Sequence, residues 1–236
     1  DAERLLCTVS GSENVLMTSS CTHALELVSR VLELGPGDEV IVPAYTFVST
    51  ASAFALSGAK PVFVDVDPLT LNLDSELVAA AITNRTKAVC TVHYAGIARD
   101  IEQLARLCVS NGMELVEDNA HGLGATFRGK KLGTFGSLST LSFHETKNVI
   151  SGEGGALIIN DSSLSLRAEI IREKGTNRSE FIRGKVDKYT WHEKGSSFLP
   201  GDIIAAFLWA QLEQAQDKEK RAVADKNQKE IREEEE

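Results

Sequence analysis

The amino-acid sequence predicts an α/β fold on a mainly parallel sheet, and three observations predict it. Short runs rich in β-branched residues, bounded by Gly, Pro or Asp, alternate with helical patterns along the chain. Such runs read as buried strands, and helices between them return the chain so that successive strands lie parallel, covered on both faces. With 236 residues and a hydrophobic fraction of 42%, the chain can bury a substantial core in one large domain or two small ones.

Thr22 to Leu32 reads as a helix, Val40-Ile41-Val42 as a strand, Phe47 to Ser57 as a helix and Pro61-Val62-Phe63-Val64-Asp65 as a buried strand. A helix from Ser75 to Ala81 follows, then a strand from Lys87 to Val92, a helix from Asp100 to Ser110 and a strand from Met113 to Glu117. The Asp100–Ser110 stretch sets Ile101, Leu104, Ala105 and Cys108 at the i, i+3, i+4, i+7 spacing of one apolar helix face. Leu141-Ser142-Phe143 and Gly155 to Asn160 read as two more strands, with Lys147 in the loop between them. Asp202 to Gln214 is a strongly apolar helix carrying Ile203, Ile204, Phe207, Leu208, Trp209 and Leu212. A large domain over 1–216 is therefore expected. Residues 217–236, almost wholly charged and ending in four glutamates, read as a solvated helix fraying into a disordered tail.

Composition excludes several classes. A net charge of −9 opposes general nucleic-acid binding, which needs a basic face to neutralise phosphates. No apolar run reaches the roughly 18 residues of a membrane span, and the opening Asp1–Cys7 lacks the basic start and apolar stretch of a signal peptide. A soluble, cytoplasmic protein is expected. The cysteines at 7, 21, 90 and 108 show neither a disulfide scaffold nor metal-ligand spacing; they read as buried free thiols in a reducing compartment. Charge is uneven, however: between Arg172 and Lys194 stand seven Lys/Arg against four acids. That stretch is either a solvated loop or a surface for a small anionic substrate.

Three features carry chemistry. Asp118 follows a strand directly, at the carboxyl edge where ligands of open α/β sheets gather; there it could cap a helix, bind a metal or pair with a buried cation. Lys147 lies in a loop with Ser142, Thr146 and Asn148, ahead of Gly152-Glu153-Gly154-Gly155. Small polar residues and glycines let a backbone approach a bound group, and a desolvated lysine becomes a nucleophile. The Thr18–His23 segment opens an apolar helix with Ser and Thr, which is an ordinary N-cap or a phosphate site. The glycine run lacks a dinucleotide fingerprint. An anion cradle, a carboxylate for a ring nitrogen and a reactive lysine together are what pyridoxal phosphate requires.

Four stretches then give a resemblance to a known family. Pro36-Gly-Asp-Glu-Val-Ile-Val-Pro-Ala-Tyr-Thr-Phe-Val48, Gly58-Ala-Lys-Pro-Val-Phe-Val-Asp-Val-Asp67, Val116-Glu-Asp-Asn-Ala-His121 and Ser142-Phe-His-Glu-Thr-Lys147-Asn148 resemble, in order and spacing, motifs of the DegT/DnrJ/EryC1/StrS sugar-nucleotide aminotransferases. The resemblance implies the large domain of the type I aminotransferase fold, pyridoxal phosphate as cofactor, and a homodimer with shared active sites. It implies that Lys147 bonds the cofactor and moves protons, and that Asp118 holds the pyridinium nitrogen. Phe47 would stack on the cofactor ring, unless it is plain core packing, and His121, in a position more often Gln, would contact the ring hydroxyl. The backbone amides of Thr22 and His23 and the hydroxyl of Ser142 would bind the phosphate.

The implied reaction moves an amino group from glutamate to the C4 ketone of a dTDP-4-dehydro-6-deoxy sugar; a 3-keto nucleotide sugar would use the same machinery. Members that carry His in place of the lysine dehydrate instead, and Lys147 opposes that branch. The family's small C-terminal domain is expected to be missing from this chain, and the arm before Ser12 is short. A truncated relative serving only as a cofactor-binding or dimerising domain is the competing reading.

Overall fold

The computed structural model describes residues 1–215, so the charged tail expected over 217–236 lies outside the described residues. The chain runs through helix α1 (Ala2–Ser10), strand β1 (Val15–Thr18), α2 (Cys21–Val31), β2 (Glu39–Pro43), α3 (Val48–Leu56), β3 (Lys60–Val64) and α4 (Ser75–Ala81). It continues through β4 (Thr86–Val92), α5 (Ile101–Ser110), β5 (Glu114–Asp118), a small hairpin of β6 (Thr126–Phe127) and β7 (Lys130–Lys131), β8 (Leu138–Ser142) and β9 (Gly155–Ile159). Helices α6 (Ser165–Arg172) and α7 (Arg178–Ile182) follow, and residues 202–215 are helical, here α8.

Seven strands form one sheet in the order β1-β9-β8-β5-β4-β2-β3. The neighbours from β8 through β3 are all parallel, whereas β9 runs antiparallel to both β8 and β1. Side chains alternate between the two faces of a strand, and the cores follow that alternation. Leu16, Val40, Val42, Ala88, Cys90, Val116, Leu138 and Leu157 share one core with α2, α3 and α6. Their neighbours point the other way: Val15, Met17, Ala156 and Ile158 meet α1 and α8, while Ile41, Val89 and Leu115 meet α4 and α5. The sheet is thus covered by helices on both faces.

One expectation is corrected. The Pro61–Asp65 run is not a buried strand: β3 is the edge strand, only Val64 in it is buried, and Phe63 is 60% exposed. A strand with a single neighbour and little above it keeps its apolar side chains without covering them. The basic stretch also changes character. Arg172 is buried and reaches Glu3 at 2.7 Å and the Met17 carbonyl at 3.1 Å, Arg178 pairs with Glu173 at 3.1 Å, and Arg183 with Glu169 at 2.8 Å. Three of its cations therefore hold the fold. Of the cysteines, Cys90 and Cys108 are buried, while Cys7 and Cys21 are partly covered; all four are free thiols.

Candidate active site

The loops that leave the carboxyl ends of the parallel strands all surface along one edge of the sheet, the place where such folds bind ligands. The loop after β2 carries Tyr45 and Phe47, that after β4 carries Tyr94, that after β5 carries His121, and that after β8 carries Lys147. There they line a cavity of about 730 Å³ with Thr22, Asp118 and Ser142. Six of the seven residues singled out in the sequence thus meet around one space. Lys147, His121 and Ser142 also line a smaller adjoining cavity of about 250 Å³.

Asp118 is the deepest of them. Within β5, Leu115 joins the core under α4 and α5 and Val116 the core under α2 and α3, so the period of two turns Asp118 toward α2 and α3. Its carboxylate accepts a 2.7 Å hydrogen bond from the Thr50 hydroxyl of α3 and a 3.2 Å bond from the Ala120 N–H. Burial pushes its pKa up against those two bonds and the nearby imidazoles. Among the described residues it has no ion-pair partner. A buried carboxylate so placed calls for a cation at the cavity, which a protonated ring nitrogen would supply.

Helix α2 presents its N-terminus to the same space. Ser20 is the N-cap, its hydroxyl accepting the N–H of His23 at 3.0 Å. That bond occupies the His23 amide; the His23 ring turns to Ser19 at 2.6 Å and packs edge-on against Phe198, and His23 does not line the cavity. The first-turn N–H groups of Cys21 and Thr22 have no acceptor within a helix, and α2 has no acid in its first turn. The Thr22 hydroxyl lies 2.7 Å from that of Ser49, and Ser142 ends β8 beside them. Free amides, hydroxyls and the positive helix end make an anion cradle.

Lys147 is half-buried in a turn, its N–H donating to the His144 carbonyl at 2.9 Å. Among the described residues its ammonium group is in no ion pair. His121 receives the Ala95 N–H on Nδ1 at 3.3 Å, which leaves a neutral ring with its proton on Nε2. Burial first, then the charge of Lys147, pull the His121 pKa down, consistent with that neutral form. Phe47 is 74% exposed, so its ring is free to cover a ligand and is not core packing.

The sequence reading missed Thr50, Ser49 and the tyrosines. Tyr45 and Tyr94 both stand just after strands, in Tyr45-Thr46-Phe47 and His93-Tyr94-Ala95-Gly96, so their position at the ligand edge was the available signal. Nothing local marks Thr50, whose partner is 68 residues away.

Residues 1–235 match the DegT/DnrJ/EryC1/StrS aminotransferase family. The 3-amino-5-hydroxybenzoate synthase of Amycolatopsis mediterranei (strain S699) is 40% identical over 89% of this chain and 53% of its own length. The dTDP-4-dehydro-2,3,6-trideoxy-D-glucose 4-aminotransferase of Saccharopolyspora spinosa is 40% identical over 85% of this chain and 53% of its own. Spr1654 of Streptococcus pneumoniae, solved in its pyridoxal phosphate form, superposes with a TM-score of 0.82 at 30% identity, covering 95% of this chain and 61% of that one. The chain spans about half the length of the curated relatives it matches.

Proposed function

The chain belongs to the DegT/DnrJ/EryC1/StrS aminotransferase family, and we propose that it carries the cofactor site of an enzyme that moves an amino group from glutamate to the C4 ketone of a dTDP-4-dehydro-6-deoxy sugar. The product would be dTDP-4-amino-4,6-dideoxygalactose, with 2-oxoglutarate released from the donor. The observation that carries the reading is Asp118, buried and without an ion-pair partner among the described residues, facing the same cavity as Lys147 and the open end of α2. The named substrate of the Saccharopolyspora relative, a dTDP-linked 4-keto sugar, supports the choice of acceptor.

Pyridoxal phosphate, when bound, supplies an electrophilic aldehyde and a ring that holds the electron pair released at the donor Cα. Asp118 keeps the ring nitrogen protonated, with Thr50 orienting its carboxylate. The amides at Cys21 and Thr22 with the hydroxyl of Ser142 would hold the phosphate, and Phe47 would cover the ring. His121, in its neutral form, would offer its Nε2 proton to the ring hydroxyl. Lys147 Nζ would anchor the cofactor and, released from it, would take the proton from the glutamate Cα in the first half-reaction and deliver one to the sugar C4 in the second. The whole protein is proposed to work as a homodimer with shared active sites.

The test is spectroscopic. Protein incubated with pyridoxal phosphate should turn yellow, glutamate should bleach it, and borohydride reduction should fix the cofactor on the Lys147 peptide, read by mass. Colour and trapping that persist unchanged in Lys147→Ala would overturn the assignment.

A further inference from the structure

Tyr45 and Tyr94 line the cavity and have no part in that reading. Tyr45 follows β2 and Tyr94 follows β4, neighbouring strands of the sheet, so their loops rise side by side. The ring centroids stand 5.1 Å apart with planes tilted 56°, and the hydroxyls are 3.2 Å apart. The Tyr94 ring in turn meets His121 edge-on at 5.3 Å, which ties the pair to the site of the cofactor ring. Two phenols hold two O–H donors, and their mutual bond uses one. One donor and several lone pairs remain for a ligand. The hydrogen bond that Tyr94 makes with the Tyr45 hydroxyl raises the Tyr94 pKa. Tyr45 is 47% exposed, and a hydrogen bond between half-open hydroxyls contributes little to folding; phenylalanines would serve packing as well.

We propose that the Tyr45–Tyr94 pair recognises the amino acceptor, its ring faces covering a keto pyranose and its spare hydroxyl binding a ring hydroxyl beside the ketone. The proposal rests on the aminotransferase reading and adds to it the element that separates acceptor from donor. Glutamate is read by its carboxylates, which call for Arg or Lys, and Lys147 is the one Lys or Arg among the described residues lining the cavity. A neutral hydroxylated ring is matched by aromatic faces and neutral donors.

The experiment uses Tyr45→Phe, Tyr94→Phe and the double variant. Calorimetric titration of dTDP-4-dehydro-6-deoxyglucose into a Lys147→Ala background loaded with pyridoxamine phosphate reads affinity without turnover. The double variant, which leaves no hydroxyl to give, should raise Kd about fivefold, the scale of one neutral hydrogen bond, and neither single variant should exceed it. With Lys147 present, the rate at which the sugar restores the yellow colour should fall in the same order, while bleaching by glutamate stays within about twofold of the parent. Unchanged sugar affinity, or equal loss in both half-reactions, overturns the role of the pair alone. A parent protein that glutamate cannot bleach, or whose colour no keto pyranose restores, overturns the aminotransferase reading and this proposal with it.

Discussion

At the scale of single residues, Asp118 is the group whose protonation matters most. Its folded pKa is raised by burial, against the Thr50 and Ala120 bonds. A raised carboxyl contributes stability that is full below the ordinary carboxylate pKa and is lost as pH rises through the folded value. In protein without cofactor that contribution is therefore lost as pH rises through the folded value. Asp118→Asn should make that cofactor-free form more stable at pH 7 than the parent in urea melts, with the gain vanishing toward acid, while cofactor affinity collapses. A variant less stable than the parent at pH 7 would contradict the unpaired carboxylate. Thr50→Val removes the hydroxyl bonded to Asp118 at 2.7 Å and leaves a buried acceptor short of a donor, at a cost of about 1–3 kcal/mol. Cofactor titration should weaken roughly tenfold, and Thr50→Ser should restore it.

Among elements, the contact between β9 and the start of α2 places the anion cradle. A Cβ on Gly155 would come within 2.4 Å of the Cys21 nitrogen and the Ser20 carbonyl carbon, so Gly155→Ala must push backbone. We expect about 1–3 kcal/mol of lost stability and a disproportionate loss of cofactor affinity, because the helix end itself moves. Gly152→Ala is the control: that residue has φ +80° and no neighbour within 4 Å, so its cost, about 1 kcal/mol, is confined to the loop backbone. Equal effects on cofactor titration would refute the placement. The glycine cluster was legible in the sequence as a close-approach loop, but not which glycine meets α2. That depends on the pairing of Thr18 with Gly155, across most of the chain. Strand β1 went unread for the same reason: four residues gain their stability from β9, not from a pattern of their own. Helix α6 was hidden because its buried end is Arg172, which looks solvated until Glu3 is beside it. Asp118 and Lys147 were legible because strand ends at a ligand edge are local features; the Tyr45–Tyr94 pair, 49 residues apart, was not.

For the whole molecule, β5 serves both the ligand edge and the buried polar scaffold with adjacent residues. Asp118 faces α2 and α3, and Glu117 faces away from them, fully buried. Glu117 accepts the N–H groups of Gly133 at 2.8 Å, Phe135 at 2.6 Å and Gly136 at 2.7 Å, and lies 2.7 Å from His93 Nε2. His93 itself donates its N–H to the Asp118 carbonyl at 3.1 Å. One carboxylate thus ties the approach to β8, the end of β4 and the strand that presents Asp118. Burial alone would raise its pKa, but the His93 ring and the Gly136 and Gly133 amides outweigh burial and hold it below the usual carboxylate range. Glu117→Gln keeps the shape and turns an NH2 group against N–H donors, so it should cost about 3 kcal/mol at neutral pH, read as a lower urea midpoint at unchanged slope. The sign of its pH dependence opposes that of Asp118: a depressed carboxyl contributes stability above the ordinary carboxylate pKa and loses it as pH falls through the folded value. The gap between parent and Glu117→Gln should therefore close in acid, and a gap constant with pH would show that the carboxylate charge is not what organises this side of the sheet.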